Sequence, residues 1–232
     1  MTRMARLVVP NYPHHITQRG NRRQKTFFSN ADYQTYLDLL AVAKLKAGVE
    51  VWAYCLMPNH VHVVVVPENR DSLSHFFREA HRQYTLRINR RYGWRGHLWQ
   101  ERFHSFVMDD SYLLSAVRYT ELNPVKAGLC HRPSDWRWSS ANAHLRGKDD
   151  LLVTVRPMLD RTNDWSCFLS EQEDLSKIED IRLHSRSGRP IGNDGFIDAI
   201  EALTRRRIHS KKPGPRSRDS VPNYPVRPEG IK

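Results

Sequence analysis

The sequence predicts an α+β fold, an antiparallel sheet with two covering helices, built in the order βαββαβ. Three observations predict it. Apolar residues recur at three- and four-residue spacing in two separate windows, β-branched or alternating runs flank those windows, and Gly, Pro or Asn stands at the junctions. With 39% hydrophobic residues in 232, there is enough apolar side chain for a real core.

The first strand is the alternating stretch His15 to Arg19, ended by Gly20 and Asn21. Ser29 with Asp32 has capping-box spacing, and Tyr36, Leu40, Ala43 and Ala47 then mark a first helix that Gly48 stops. VWAYCLM and HVHVVVV follow, separated by Pro58 and Asn59, and read as a hairpin. From Asp71, Leu73, Phe77, Ala80, Tyr84 and Ile88 define a second helix. After the turn YGWRG, the run HLWQERFHSFVM at 97–108 reads as a fourth strand with Trp99, Phe103 and Phe106 as core residues. This order is that of a ferredoxin-like split βαβ sheet.

A third helix is expected from Ser111 to Leu122, ending at Asn123 because the residue before Pro124 disfavours helical geometry. Leu175, Ile178 and Ile181 then suggest a helix, and SGRPIGNDG separates it from another at Phe196 to Leu203. That turn exceeds the usual 3 to 4 residues, so the pair reads as a helical hairpin packed on the core rather than a helix-turn-helix.

The net charge is +12, unevenly spread: +10 over residues 1–146, −5 over 147–204 and +7 over 205–232. We therefore expect a basic domain, an acidic helical extension and a basic tail that is disordered for want of apolar residues. A polyanionic partner is favoured, and the asymmetry suggests that the acidic extension folds over the basic face when no partner is bound. No apolar run reaches the roughly 18 residues of a membrane span and the N-terminal stretch lacks a signal-peptide pattern, so a cytoplasmic, nucleoid-associated protein is expected. Cys55, Cys130 and Cys167 form no CxxC and read as reduced, mostly buried thiols.

His60 and His62 open a strand two residues apart, so both imidazoles face one way. Such a pair either packs structurally or chelates a metal, in which case a further ligand is needed. Tyr119 and Asn123, four apart on the third helix, lie on one face and supply a phenol and a hard amide oxygen. Two imidazoles and an amide leave open positions, which suits Mg²⁺ or Mn²⁺ beside a phosphate better than structural zinc. Tyr112, seven residues earlier on nearly the same face, is a rival phenol.

For DNA contact the candidates are Arg78, Arg82, Arg87, Arg90, Arg91 and Arg95, interleaved with Tyr84, Tyr92 and Trp94, a combination that tracks phosphates and stacks bases. Arg19, Arg22 and Arg23 form a second basic group after the first strand, while His14 and His15 read as core or surface histidines.

MPNHVHVVVVP, LWQERFHSF and VRYTELNPVKAGL together resemble the single-tyrosine transposases of the HUH endonuclease superfamily. PNYPHHITQRGNRRQKTFF and SGRPIG look like the REP-associated tyrosine transposase branch. The resemblance spans about residues 5–145. It implies that Tyr119 is the nucleophile, and that His60, His62 and Asn123 are metal ligands, Asn123 replacing the Gln or Glu common elsewhere in the superfamily. It also implies cleavage and rejoining of single-stranded DNA at palindrome-type hairpins through a 5′-phosphotyrosine, with a divalent metal and a monomeric enzyme. The competing expectation is a hairpin-binding protein of the same fold that does not cleave.

Overall fold

The structure is a computed structural model and describes residues 6–209; most of the expected disordered tail, 210–232, lies outside them. A four-stranded antiparallel sheet in the order β2-β3-β1-β4 is formed by β1 (His14–Arg19), β2 (Val49–Met57), β3 (His60–Pro67) and β4 (His104–Val107). Helices α1 (Asn30–Ala47) and α2 (Ser72–Tyr92) cover one face. Helix α3 (Asp110–Lys126) covers the other. The expected α+β, ferredoxin-like order is therefore present.

Strand alternation divides the core. Ile16, Val61, Val63 and Val65 point towards Tyr36, Leu40, Phe76, Phe77 and Tyr84 of α1 and α2. Val64 and Phe106 point towards Leu113, Ala116 and Val117 of α3. Asp32 accepts the N–H groups of Phe28 and Ser29 at 2.9 and 3.0 Å, closing the start of α1, and Gly48 ends it in the left-handed region at φ +60°.

Helix α4 (Ala141–Arg146) closes the 1–146 region, and the stretch after it holds α5 (Arg156–Leu159), α6 (Trp165–Ser170) and α7 (Leu175–Ser187). A last helix, α8 (Asp194–Thr204), follows. They pack into the domain: Leu152 and Val153 join the α1/α2 side, while Trp165, Ile178, Ile181 and Ile191 join the α3 side. The outer side of β2 is bonded by this chain, through Leu56 N–H to Trp138 O, Ser140 N–H to Tyr54 O and Thr154 N–H to Val51 O at 2.8–3.0 Å. On the far side, Ile191 N–H donates to Val107 O at 3.0 Å.

Several expectations are corrected. The fourth strand is only His104–Val107: Trp99 still bridges Gly20 beyond the end of β1, but the ladder is broken between Trp99 and His104, where Glu101 has φ +98°, and Leu98, Trp99 and Phe103 fill the α1/α2 core. Helix α3 runs through Pro124 to Lys126. An interior proline costs about 3 kcal/mol, and burial of Thr120, Glu121 and Pro124 on this turn offsets it. Leu175, at the first turn of α7, is 71% exposed; Ile178 and Ile181 alone make the buried stripe. Cys167 is exposed rather than buried. Within the tail, Ile208 is buried, and Glu201 accepts the N–H groups of Ile208 and His209.

Two histidines, His14 buried and His81 half-buried, make the fold acid-sensitive. His14 accepts the Val9 N–H at 3.1 Å, and His81 lies 2.8 Å from the Tyr36 hydroxyl. Burial holds His14 down at about 4 and His81 at about 3, against 6.5 in an open chain. Between those values the unfolded chain binds the extra proton, so stability is complete above pH 6.5. It falls as pH drops, by about 1.4 kcal/mol per pH unit for each histidine. Urea unfolding at pH 7, 6 and 5 is expected to show a midpoint that declines below pH 6.5.

Candidate functional site

The site lies on the α3 face of the sheet. His60 and His62 alternate with Val61, so both turn away from the α1/α2 core. Their rings stand 4.9 Å apart, and the register sets His60 opposite Arg19 and His62 opposite Thr17. Tyr119 reaches them from α3, its ring 5.5 Å from that of His62 and nearly perpendicular at 85°. These residues line one cavity of about 510 Å³ with Arg19, Arg23, Gln18, His104, Arg182, Ser185 and Arg186.

Each imidazole is held through one nitrogen. His60 Nδ1 lies 2.6 Å from Asn59 Oδ1, and His62 Nδ1 lies 3.2 Å from His15 Nε2. This leaves Nε2 of both for a metal, the arrangement by which ligand histidines are commonly oriented. Burial pushes His60 down to about 4 and His62 well below the ordinary value, so both rings are neutral at pH 7 with a lone pair to offer. The donor set fits a divalent cation. Asn123 is placed less directly: its Nδ2 donates to Tyr119 O at 2.9 Å, its Oδ1 is left as an acceptor, and it is not among the lining residues.

Cations surround the phenol. Lys126 Nζ lies 4.9 Å from the Tyr119 ring centre and Arg182 Cζ 5.9 Å. Burial lowers the Lys126 amine, and Glu173, at 2.6 Å, works against that. Arg118, one residue before Tyr119, pairs with Glu171. The acidic extension thus binds cations of α3, but what it turns into the cavity is Arg182 and Arg186, so the face that covers the site is basic.

The turn entering the site is strained. Arg22 and Arg23 both have left-handed backbones, φ +52° and +61°, and Glu101 across the cavity has φ +98°. Such non-glycine geometry costs on the order of 1–3 kcal/mol per residue. Asn59 Nδ2 holds the turn by donating to Arg23 O at 3.0 Å. A Cβ on Gly20 would meet Gln24 O at 2.4 Å, so the turn closes only over glycine.

The expected DNA contacts divide into two groups. Arg19 and Arg23 line the cavity, and Arg22 is exposed beside them. Arg78, Arg82, Arg87, Arg90, Arg91, Arg95, Tyr92 and Trp94 belong to α2 and the turn after it, across the sheet from the histidines, and none lines the cavity. Arg82 is engaged by Glu79 at 2.6 Å, and Arg91 makes a two-pronged pair with buried Asp32 at 2.7 and 2.8 Å. Tyr84 is fully buried, its hydroxyl donating to Thr26 O, so it is a core residue and not a stacking one. Tyr92 and Trp94 are each 42% exposed and stack on one another at 4.9 Å.

Residues that sequence reasoning missed include His15, buried behind His62, and His104, which faces Thr17 in the same cross-strand row as His62. Strand register, once known, finds both. Arg182, Ser185 and Arg186 come from α7 and had no sequence signal beyond spacing.

Residues 8–123, half of the chain, match the family described as "Transposase IS200 like". The chain is 27% identical over 120 residues to the REP-associated tyrosine transposase of Escherichia coli (strain K12), covering 51% of this chain and 70% of that protein. A solved structure of a REP-associated tyrosine transposase bound to a REP hairpin superposes with a TM-score of 0.55 at 25% identity, covering 66% of this chain and 92% of that one. With the match extending over the sheet, both histidines and α3, this chain belongs to the IS200-like transposase family.

Proposed function

We propose that the protein is a metal-dependent, single-tyrosine DNA strand transferase acting on single-stranded DNA beside palindrome-type hairpins. The observation that supports this most directly is the convergence of Tyr119, His60 and His62, from two elements distant in sequence, on one basic cavity. The hairpin partner is suggested by the structural relative, which is bound to one.

In this reading Tyr119 Oη attacks a backbone phosphorus. The Oη–P bond forms and the P–O3′ bond breaks; the phenol proton is lost to solvent, and the departing 3′ oxygen takes one up. The 5′ phosphate remains on the tyrosine until another 3′ hydroxyl reverses the step, so the energy of the phosphodiester is conserved. His60 and His62, with Asn123 as the third ligand, would hold Mg²⁺ or Mn²⁺, which supplies polarisation of a phosphate oxygen. His15 fixes the orientation of His62, and Lys126 adds positive charge beside the phenol. Arg19, Arg22 and Arg23 line the path of the strand, while Arg78, Arg90, Arg95, Tyr92 and Trp94 offer a second contact surface for DNA. Arg82 and Arg91, already paired, contribute there mainly by shaping α2.

The test uses hairpin oligonucleotides with single-stranded flanks, labelled at either end, incubated with the protein and Mg²⁺ or Mn²⁺ and run on a denaturing protein gel. The expected result is a covalent adduct with the 3′-labelled strand only, abolished by EDTA. Tight hairpin binding with no adduct under either metal would favour the non-cleaving, hairpin-binding reading instead.

A further inference from the structure

Helix α7 lies beyond residues 8–123, the part that matches the family, yet it closes one wall of the candidate site. Ile178 and Ile181 anchor it in the α3-side core. Helical spacing then sets Arg182, Ser185 and Arg186 on one face, at i, i+3 and i+4, and all three line the cavity. Arg182 Cζ is 5.9 Å from the Tyr119 ring centre, and Ser185 Oγ is 3.5 Å from Nδ1 of His15, the residue behind His62. The face is therefore registered against both halves of the site.

Its charges are also open. Four carboxylates of this segment are engaged elsewhere: Glu171 with Arg118, Glu173 with Lys126, Asp174 at the start of α7 and Asp180 with the Tyr112 hydroxyl; the fifth, Glu179, is exposed on α7 and forms no ion pair with either arginine. Among the described residues, no carboxylate pairs with the guanidinium of Arg182 or Arg186. An arginine that faces a polar cavity without an acidic partner is suited to a phosphate, whose oxygens match the guanidinium fork.

Resting on the reading given under Proposed function, we infer that α7 supplies a phosphodiester-binding subsite. Arg182, assisted by Ser185 and Arg186, grips the backbone phosphate of the single strand at the bond that Tyr119 attacks. Arg182 would thus be a catalytic residue contributed by the C-terminal extension. It neutralises charge on the non-bridging oxygens as the phosphorus becomes five-coordinate.

The experiment compares wild type, Arg182→Gln, Arg182→Lys and, as a charge control far from the cavity, Arg156→Gln. Adduct formation is timed at saturating 3′-labelled hairpin oligonucleotide, and thermal midpoints check folding. Binding of a single-stranded oligonucleotide is measured across salt concentrations. Arg182→Gln is expected to slow adduct formation about 10²-fold and to reduce the salt slope of single-strand binding by about 0.7. Arg182→Lys should recover part of both, and Arg156→Gln should match wild type. An Arg182→Gln rate within twofold of a wild type that does form adduct overturns the subsite and leaves the strand-transfer reading standing. If wild type forms no adduct, that reading falls, and an unchanged salt slope in Arg182→Gln then overturns the subsite as well.

Discussion

Tyr119→Phe is expected to form no detectable DNA adduct, a loss of at least about a thousandfold, because the substitution removes the attacking oxygen and nothing else. The ring that packs near His62 and His15 is retained, at 5.5 and 6.3 Å. The thermal midpoint and hairpin affinity should therefore stay close to wild type. Tyr112→Phe is the informative companion. Its hydroxyl donates to Asp180 Oδ2 at 2.9 Å, and burial, with Asp180 beside it, pushes the phenol up to about 12. A phenol so engaged is a poor nucleophile at neutral pH, so Tyr112→Phe should keep adduct formation within a few-fold of wild type. Adduct that survives in Tyr119→Phe and disappears in Tyr112→Phe would reverse the assignment.

The largest stability effect is expected at Glu121→Ala. Two residues past Tyr119 on α3, Glu121 points to the opposite side of the helix, into the core. It accepts hydrogen bonds from Ser140 Oγ, from His144 Nδ1 at 2.7 Å and from Trp165 Nε1 at 2.9 Å, tying α3 to α4 and α6. All four residues are buried. Alanine would strand the His144 and Trp165 donors away from water, Ser140 Oγ keeping Tyr54 O as an acceptor at 3.3 Å, and would open a void, at a cost of about 3–5 kcal/mol. Urea unfolding of the variant against wild type measures this directly. A cost under about 1 kcal/mol would mean that water enters and replaces the carboxylate. Glu121→Gln, which keeps the volume and one acceptor oxygen, should lose less.

The strands and the first two helices were legible because their core residues keep a strict period. Val61, Val63 and Val65 face one core, Val64 the other, and Leu73, Phe77, Ala80, Tyr84 and Ile88 trace one helix stripe. Where expectation failed, tertiary packing overrode a local rule. Pro124 stays helical because its turn is buried, and Trp99 and Phe103, strand-like by composition, serve the core from a loop. His60, His62 and Tyr119 were legible as spacing and as a resemblance. The distinction among arginines was not: whether Arg91 meets DNA or Asp32 depends on a contact between residues 59 positions apart. The same holds for Arg182, which reaches Tyr119 only through the packing of α7 on α3.

The way the chain closes both sides of its sheet limits how copies of it can assemble. Sheets often join through their outermost strands, extending one hydrogen-bond ladder into the next molecule. On β2 the outward backbone groups at Val51, Tyr54 and Leu56 are already taken by the 138–154 stretch. On the far side, β4 has four residues, Ile191 occupies Val107, and Arg6 donates to the carbonyl of Phe103 just before it. Too little open backbone is left to template a foreign strand. Among the described residues, association between copies by extending this sheet is therefore disfavoured, and the same self-capping protects a strongly basic protein from edge-to-edge aggregation.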